Sequence, residues 1–172
     1  AEEEKINILK AFNEGFARKV AKGLDLMAMH GVNPRTGTAS EVIGTNHCDA
    51  KVEQTVDYDS AQPSANIEAA TGLVLGSEGE VTGLALAPAM STALAQLHVN
   101  GVQQFPQLAW GASPESLNGL DVDVNATVSK NSDDRAIVGD FRGAFQWGYA
   151  KEIPLKVIEY GDPDNTGKDL QG

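Results

Sequence analysis

The side chains with the widest chemical repertoire in this sequence are its three histidines and one cysteine, and the densest grouping is His47-Cys48-Asp49. A thiol becomes a nucleophile when a base within hydrogen-bond reach lowers its pKa. Neighbours on an extended chain point to opposite faces, so His47 is badly placed to serve Cys48. Cys48 is expected to be a small buried residue instead. His30, His47 and His98 are metal-ligand types, but none stands four residues from another, and neither HExxH nor CxxC accompanies them. His30 falls where a helical pattern stops and is expected to meet the last carbonyls. His98 is expected on a later helix, beside Leu97. A lone cysteine excludes an internal disulfide framework and a multi-thiolate zinc site.

The other candidates are weaker. Asp162, Asp164, Thr166 and Gly167 match the opening places of a calcium loop, but the closing bidentate glutamate would fall past Gly172 and no helix precedes. An Asx-rich turn is the better reading. The glycine-rich stretches at 31–44 and 72–83 hold neither GxxxxGK[ST] nor GxGxxG, and GxSxG is missing. Ser91-Thr92 sits in a helical pattern with no evident base. Trp110 and Trp147 are expected to be core or interface anchors, and Asp133-Asp134 solvated turn residues. The sequence therefore assigns no catalytic, cofactor-binding or metal-ligating residue. The expectation is a protein that is not an enzyme and carries no cofactor.

The elements that would position these residues follow from periodicity. Leu9, Phe12, Phe16, Val20, Leu24 and Met27 recur every three or four residues, which predicts one amphipathic helix over 2–29. Glu2, Glu3 and Glu4 suit its positive end, and His30-Gly31 followed by Pro34 stops it. Residues 31–48 are expected to be a loop and residues 51–58 a short strand. Pro63 opens a second helix ending near Gly76 or Gly79. Residues 81–87 form a buried strand, and Pro88 opens a third helix carrying Met90, Leu94 and Leu97, with Asn100-Gly101 as its stop. Residues 105–116 are irregular. Leu120, Val122 and Val124 alternate with Asp121, Asp123 and Asn125, the pattern of a half-buried strand. Strands are also expected at 136–141, 144–149 and 153–160, then a loose tail over 161–172. A helix, then mixed helices and strands, then strands alone is an α+β order.

The chain has 172 residues; its 41% hydrophobic content is slightly below the usual range of folded domains and its 22% charged content is ordinary, which argues against bulk disorder. No apolar run approaches the ~20 residues of a membrane helix, so no membrane partner is expected. With 24 acidic against 13 basic residues the net charge is −11, the wrong sign for a protein that displaces counterions from nucleic-acid phosphates.

Several short segments, in order, resemble the major capsid protein family of tailed double-stranded DNA phages, the Hong Kong 97 type fold. Residues 16–31 are similar to the end of that family's spine helix, with Asp25 at its aspartate and residues 31–37 at its small-residue loop. Residues 84–97 resemble the helix-and-strand stretch of its axial domain. Phe105-Pro106 followed by Leu117-Asn118-Gly119-Leu120-Asp121-Val122 resembles another of its runs. Val138-Gly139-Asp140-Phe141 matches its glycine–aspartate–phenylalanine signature.

The resemblance implies a long spine helix with a peripheral sheet plus an axial subdomain. Residues 1–63 would be the spine helix and part of the peripheral domain, 64–145 the axial domain, and 146–172 return strands and tail. It implies a structural head protein whose partners are copies of itself, in hexamers and pentamers of an icosahedral shell. That shell would enclose double-stranded DNA without sequence-specific contact, in a virion assembled in the bacterial cytoplasm. The family's N-terminal arm, hairpin loop and last strand have no counterpart here, which implies a trimmed, assembly-deficient fragment. Gly15 and Gly23 are candidate soft points of the spine helix. Two alternatives stay open: an encapsulin-like compartment of the same fold, and a small α+β enzyme or ligand-binding domain, which would need a deep pocket of convergent polar groups.

Overall fold

The computed structural model describes residues 2–129 and 133–144. Helix α1 runs unbroken from Glu2 to His30, about 43 Å at the standard rise, passing through Gly15 and Gly23. It ends on Gly31, whose φ of +62° is the left-handed turn that costs glycine least. The Gly31 N–H donates to the Met27 carbonyl, and the Val32 N–H to that of Leu26.

Residues 31–62 hold no helix or regular strand, and the strand expected at 51–58 does not form. Helix α2 (Pro63–Gly76) follows, with Pro63 at its first turn. Strand β1 (Gly83–Leu86) leads into α3 (Pro88–Ala95). This helix stops earlier than its apolar spacing implied. The Gln103 amide donates to the Ala95 carbonyl at 2.5 Å, and the chain turns into a hairpin of β2 (His98–Val99) and β3 (Val102–Gln103). Asn100 and Gly101, with φ of +51° and +79°, form its two-residue turn rather than a helix stop. His98 accordingly lies on a strand, not on the third helix.

Two short 3-10 turns, merged across a kink, span Pro106–Gly111. A second hairpin joins β4 (Ser116–Leu117) to β5 (Leu120–Val124) through Asn118-Gly119, again with both φ positive. A 3-10 turn at Ala126–Val128 and strand β6 (Ala136–Gly139) complete the described chain. The strands expected at 144–149 and 153–160, Trp147 and the residues of the calcium-like loop lie outside the described residues.

The four-stranded sheet has the order β4-β5-β1-β6, with β1 parallel to β5 and antiparallel to β6. Period-2 alternation puts Val122, Leu84 and Val138 in one row and Val124, Leu86 and Ala136 in the next. These rows face the core, where Leu84 and Leu86 meet Met90, Leu94 and Ala95 of α3, Leu108 and Leu117, with Ile67 of α2 and Phe105 at the margin. In β5, Asp121 and Asp123 are exposed while Leu120, Val122 and Val124 are half-buried, as the alternation required. The molecule is thus an α+β fold in which a long helix meets a small mixed sheet covered by two shorter helices. Among the described residues no helix is long and apolar enough to cross a membrane.

Candidate functional site

The end of α1 joins the sheet domain through a buried histidine. The His30 side chain is fully shielded from solvent. Its Nδ1 lies 2.6 Å from an Asp49 carboxylate oxygen and its Nε2 lies 2.7 Å from the Thr127 carbonyl. One turn earlier on the helix, Asp25 accepts a hydrogen bond from the Thr127 hydroxyl at 3.3 Å. Asn125 holds that turn in place: its N–H donates to the Leu86 carbonyl, and its side chain accepts from the Thr127 N–H.

His30 therefore does not serve the helix's last carbonyls. The backbone N–H groups of Cys48 and Asp49 do, donating to Ala28 and Met29. This docking carries the Asp49 carboxylate to the ring. Asp134 also approaches, with an oxygen 3.9 Å from Nδ1, so it is more than the solvated turn residue expected.

Among the described residues, the remaining sequence candidates are not gathered into one centre. His47 covers Gly31, where a Cβ would collide with its ring, and accepts from the Ala50 N–H at 3.3 Å. Cys48 is half-buried; burial and then the Asp49 charge raise its thiol above its usual value, which opposes a thiolate. His98 is exposed and bonds the Gln96 carbonyl. An open cleft of about 300 Å³ lies between α1 and the 126–128 turn, lined by Arg18, Lys22, Asp25, Asn125 and Thr127 among others. With both nitrogens engaged inside the protein, His30 has none free to abstract a proton from a molecule in that cleft.

The Gly139-Asp140-Phe141 triplet closes the other end of the sheet. Asp140 Oδ1 accepts from the Thr82 hydroxyl at 3.0 Å and from the N–H groups of Arg142 and Gly143 at 3.1 and 2.9 Å. The Gly143 bond, then that of Thr82, holds the carboxyl below its usual pKa. The Phe141 ring lies on Gly83 of β1, where a Cβ would come within 2.8 Å of it. Arg142 reaches Asp121 of β5 through Nε at 3.0 Å and Nη2 at 2.6 Å. One short turn thus binds β6, β1 and β5 together.

On the surface, Trp110 is fully exposed with a left-handed φ of +61°. It is not the core anchor that was one of the two expectations for it. Val99 and Val102, a cross-strand pair on the β2–β3 hairpin, are 51% and 63% exposed. On α1, Phe12 and Phe16 stack at 6.4 Å between ring centres and remain 62% and 48% exposed.

The fold has counterparts among solved structures. The chain is similar to one from Mycobacterium phage Ogopogo, with a TM-score of 0.78 and 33% identity over 98% of this chain and 60% of that one. A second, from Gordonia phage Cozz, has a TM-score of 0.68 and 26% identity over 95% of this chain and 54% of that one. The likeness is to phage proteins. This chain spans between about half and two thirds of the length of each. No protein-family model and no curated protein sequence matches it.

Proposed function

We propose that this chain belongs to the major capsid protein of a tailed phage or prophage and works by packing against copies of itself. The observation that carries the reading is the match to phage structures over nearly the whole chain, long helix and sheet domain together. The order of capsid-like segments in the sequence supports it independently. In this reading α1 is the spine helix, and residues 64–145 form the axial domain that meets its neighbours around a capsomer axis. Trp110, Val99 and Val102 are large apolar groups held out to solvent, and Trp110 is kept in a costly backbone conformation, as residues at working surfaces often are. A net charge of −11 suits the wall of a container that must not trap its polymer. The chemistry is that of self-association, with no reaction assigned to any residue.

The test is electron microscopy of the full-length protein produced in bacteria. Closed shells of hexamers and pentamers are expected, and DNA within particles from an induced phage. Shells filled with a cargo enzyme would point to an encapsulin-like compartment. A soluble monomer with a ligand in a cleft would overturn the proposal.

A further inference from the structure

We infer that residues 52–58 are a strand without a sheet in the single chain, and that they pair with the open edge of β6 on a second copy. The inference rests on the self-packing reading and names one of its contacts.

The segment has the pattern of a strand. Val52, Val56 and Tyr58 fall on one parity and Glu53, Thr55, Asp57 and Asp59 on the other, with Gln54 alone breaking the apolar row. Val52, Thr55 and Val56 are β-branched and Tyr58 is aromatic. Residues 51–62 contain neither glycine nor proline, unlike a flexible or proline-rich linker. The chain runs through 52–59 without a turn or bend. Among the described residues, no hydrogen bond reaches the backbone of residues 53–58.

Both ends of the segment are held. The Val52 N–H donates to the Cys48 carbonyl, beside the residues docked on α1. At the other end the Asn66 side chain brackets Asp59, accepting from its N–H at 3.4 Å and donating to its carbonyl at 2.9 Å. Between these anchors Val52 and Tyr58 keep part of their apolar surface in water. An amphipathic strand with its ladder groups free is the form that strand addition uses.

Strand β6 supplies the matching edge, because it ends the sheet order. It faces β1 through residues 135, 137 and 139, with the Ala87 N–H donating to the Arg135 carbonyl. The N–H and carbonyl groups of Ala136 and Val138 therefore point away from β1. Four residues flanked by charges make an edge guarded against indiscriminate pairing. Arg135 lies on the sheet face opposite the core, where Arg142 meets Asp121. Among the described residues Arg135 has the Tyr58 ring under its guanidinium and no carboxylate partner.

A strand laid along this edge sets Val52 and Val56 beside the core row, and Glu53 and Asp57 on the face of the two arginines. Two copies of the segment do not suit each other. Paired antiparallel about Thr55, they would set Glu53 against Asp57 twice. The contact is therefore between different surfaces, the head-to-tail type that closes into rings.

Particles of the full-length protein test this. Benzoylphenylalanine in place of Thr55 should photo-cross-link to residues 135–142 of another copy, as mass spectrometry of particles mixed from light and heavy isotopes would show. Thr55→Pro and Val56→Pro each remove one backbone donor, and together they cover both edges of the strand. At least one should cut the yield of particles about tenfold. Neither should lower the melting temperature of the dissociated subunit, since the single chain loses no bond. Wild-type yields from both proline variants, a lowered melting temperature, or cross-links confined to one copy would overturn the inference and leave the self-packing reading standing. A wild-type protein that forms no particles would overturn both.

Discussion

Phe141 lies across the face of Gly83, so the space above β1 at that position belongs to an aromatic ring from the turn after β6. A Cβ at residue 83 would also stand 3.4 Å from the Asp121 carbonyl. Gly83→Ala should therefore displace the ring and loosen the turn, at a cost of roughly 1–3 kcal/mol. Urea unfolding followed by circular dichroism measures this. A neutral result would mean that the ring has somewhere else to rest.

Asp140 makes that same turn sensitive to acid. Its folded pKa lies below the ordinary carboxylate value, chiefly through the bonds from Gly143 and Thr82. A group depressed on folding stabilises the fold above its unfolded pKa, and the benefit disappears as pH falls through the folded pKa. Asp140→Asn keeps the acceptor and removes the charge. Thermal melts across the acidic range should show the variant losing less stability than the wild type as pH drops, with little effect of salt.

Two glycines with open space around them should respond in opposite directions. Gly119, at φ +84°, forms the β4–β5 turn, and a Cβ there would meet nothing within 4 Å. Gly119→Ala should still cost about 1–2 kcal/mol, for backbone strain alone. Gly15, inside α1, is equally uncrowded, and Gly15→Ala should stabilise the helix by about 0.5–1 kcal/mol. Denaturant midpoints for the pair separate conformational cost from steric cost. Gly23, the other proposed soft point, lies against Pro34, with its Cβ position 3.4 Å from that ring, so its smallness has a packing reason as well.

Much of this architecture was legible in the chain. Helix α1, the proline starts of α2 and α3, and the Leu120–Val124 alternation all appear where local periodicity placed them. The two hairpins stand outside the periodicity, although Asn-Gly is a strong two-residue turn signal. Asn100-Gly101 reads as a helix stop because Leu94 and Leu97 continue a helical spacing. The Gln103 amide on Ala95 ends the helix sooner, and that contact has no local signature. Residues 51–58 lack a strand neighbour, so their imperfect alternation has no ladder to join. Tyr58 instead lies under the Arg135 guanidinium, 5.2 Å from the ring centre. The His30 junction escapes the sequence for a related reason. His30, Asp49 and Thr127 are distant in sequence and carry no spacing rule, and only the docking of residues 48 and 49 on the helix end unites them.

Trp110 separates folding from association. It is fully exposed at a left-handed φ, so Trp110→Gly removes strain and should stabilise the isolated subunit by about 1 kcal/mol. If the indole is an anchor between copies, the same change should weaken self-association. Unfolding and light scattering on the one variant should therefore move in opposite senses. An effect on stability alone would remove Trp110 from any interface.

Sedimentation velocity of the full-length protein tests the self-packing claim most directly. Fast-sedimenting particles of shell size, alone or beside discrete capsomers, are the predicted result, with their proportion reduced by Trp110→Gly. A species that stays monomeric at every concentration, in wild type and variant alike, would contradict it.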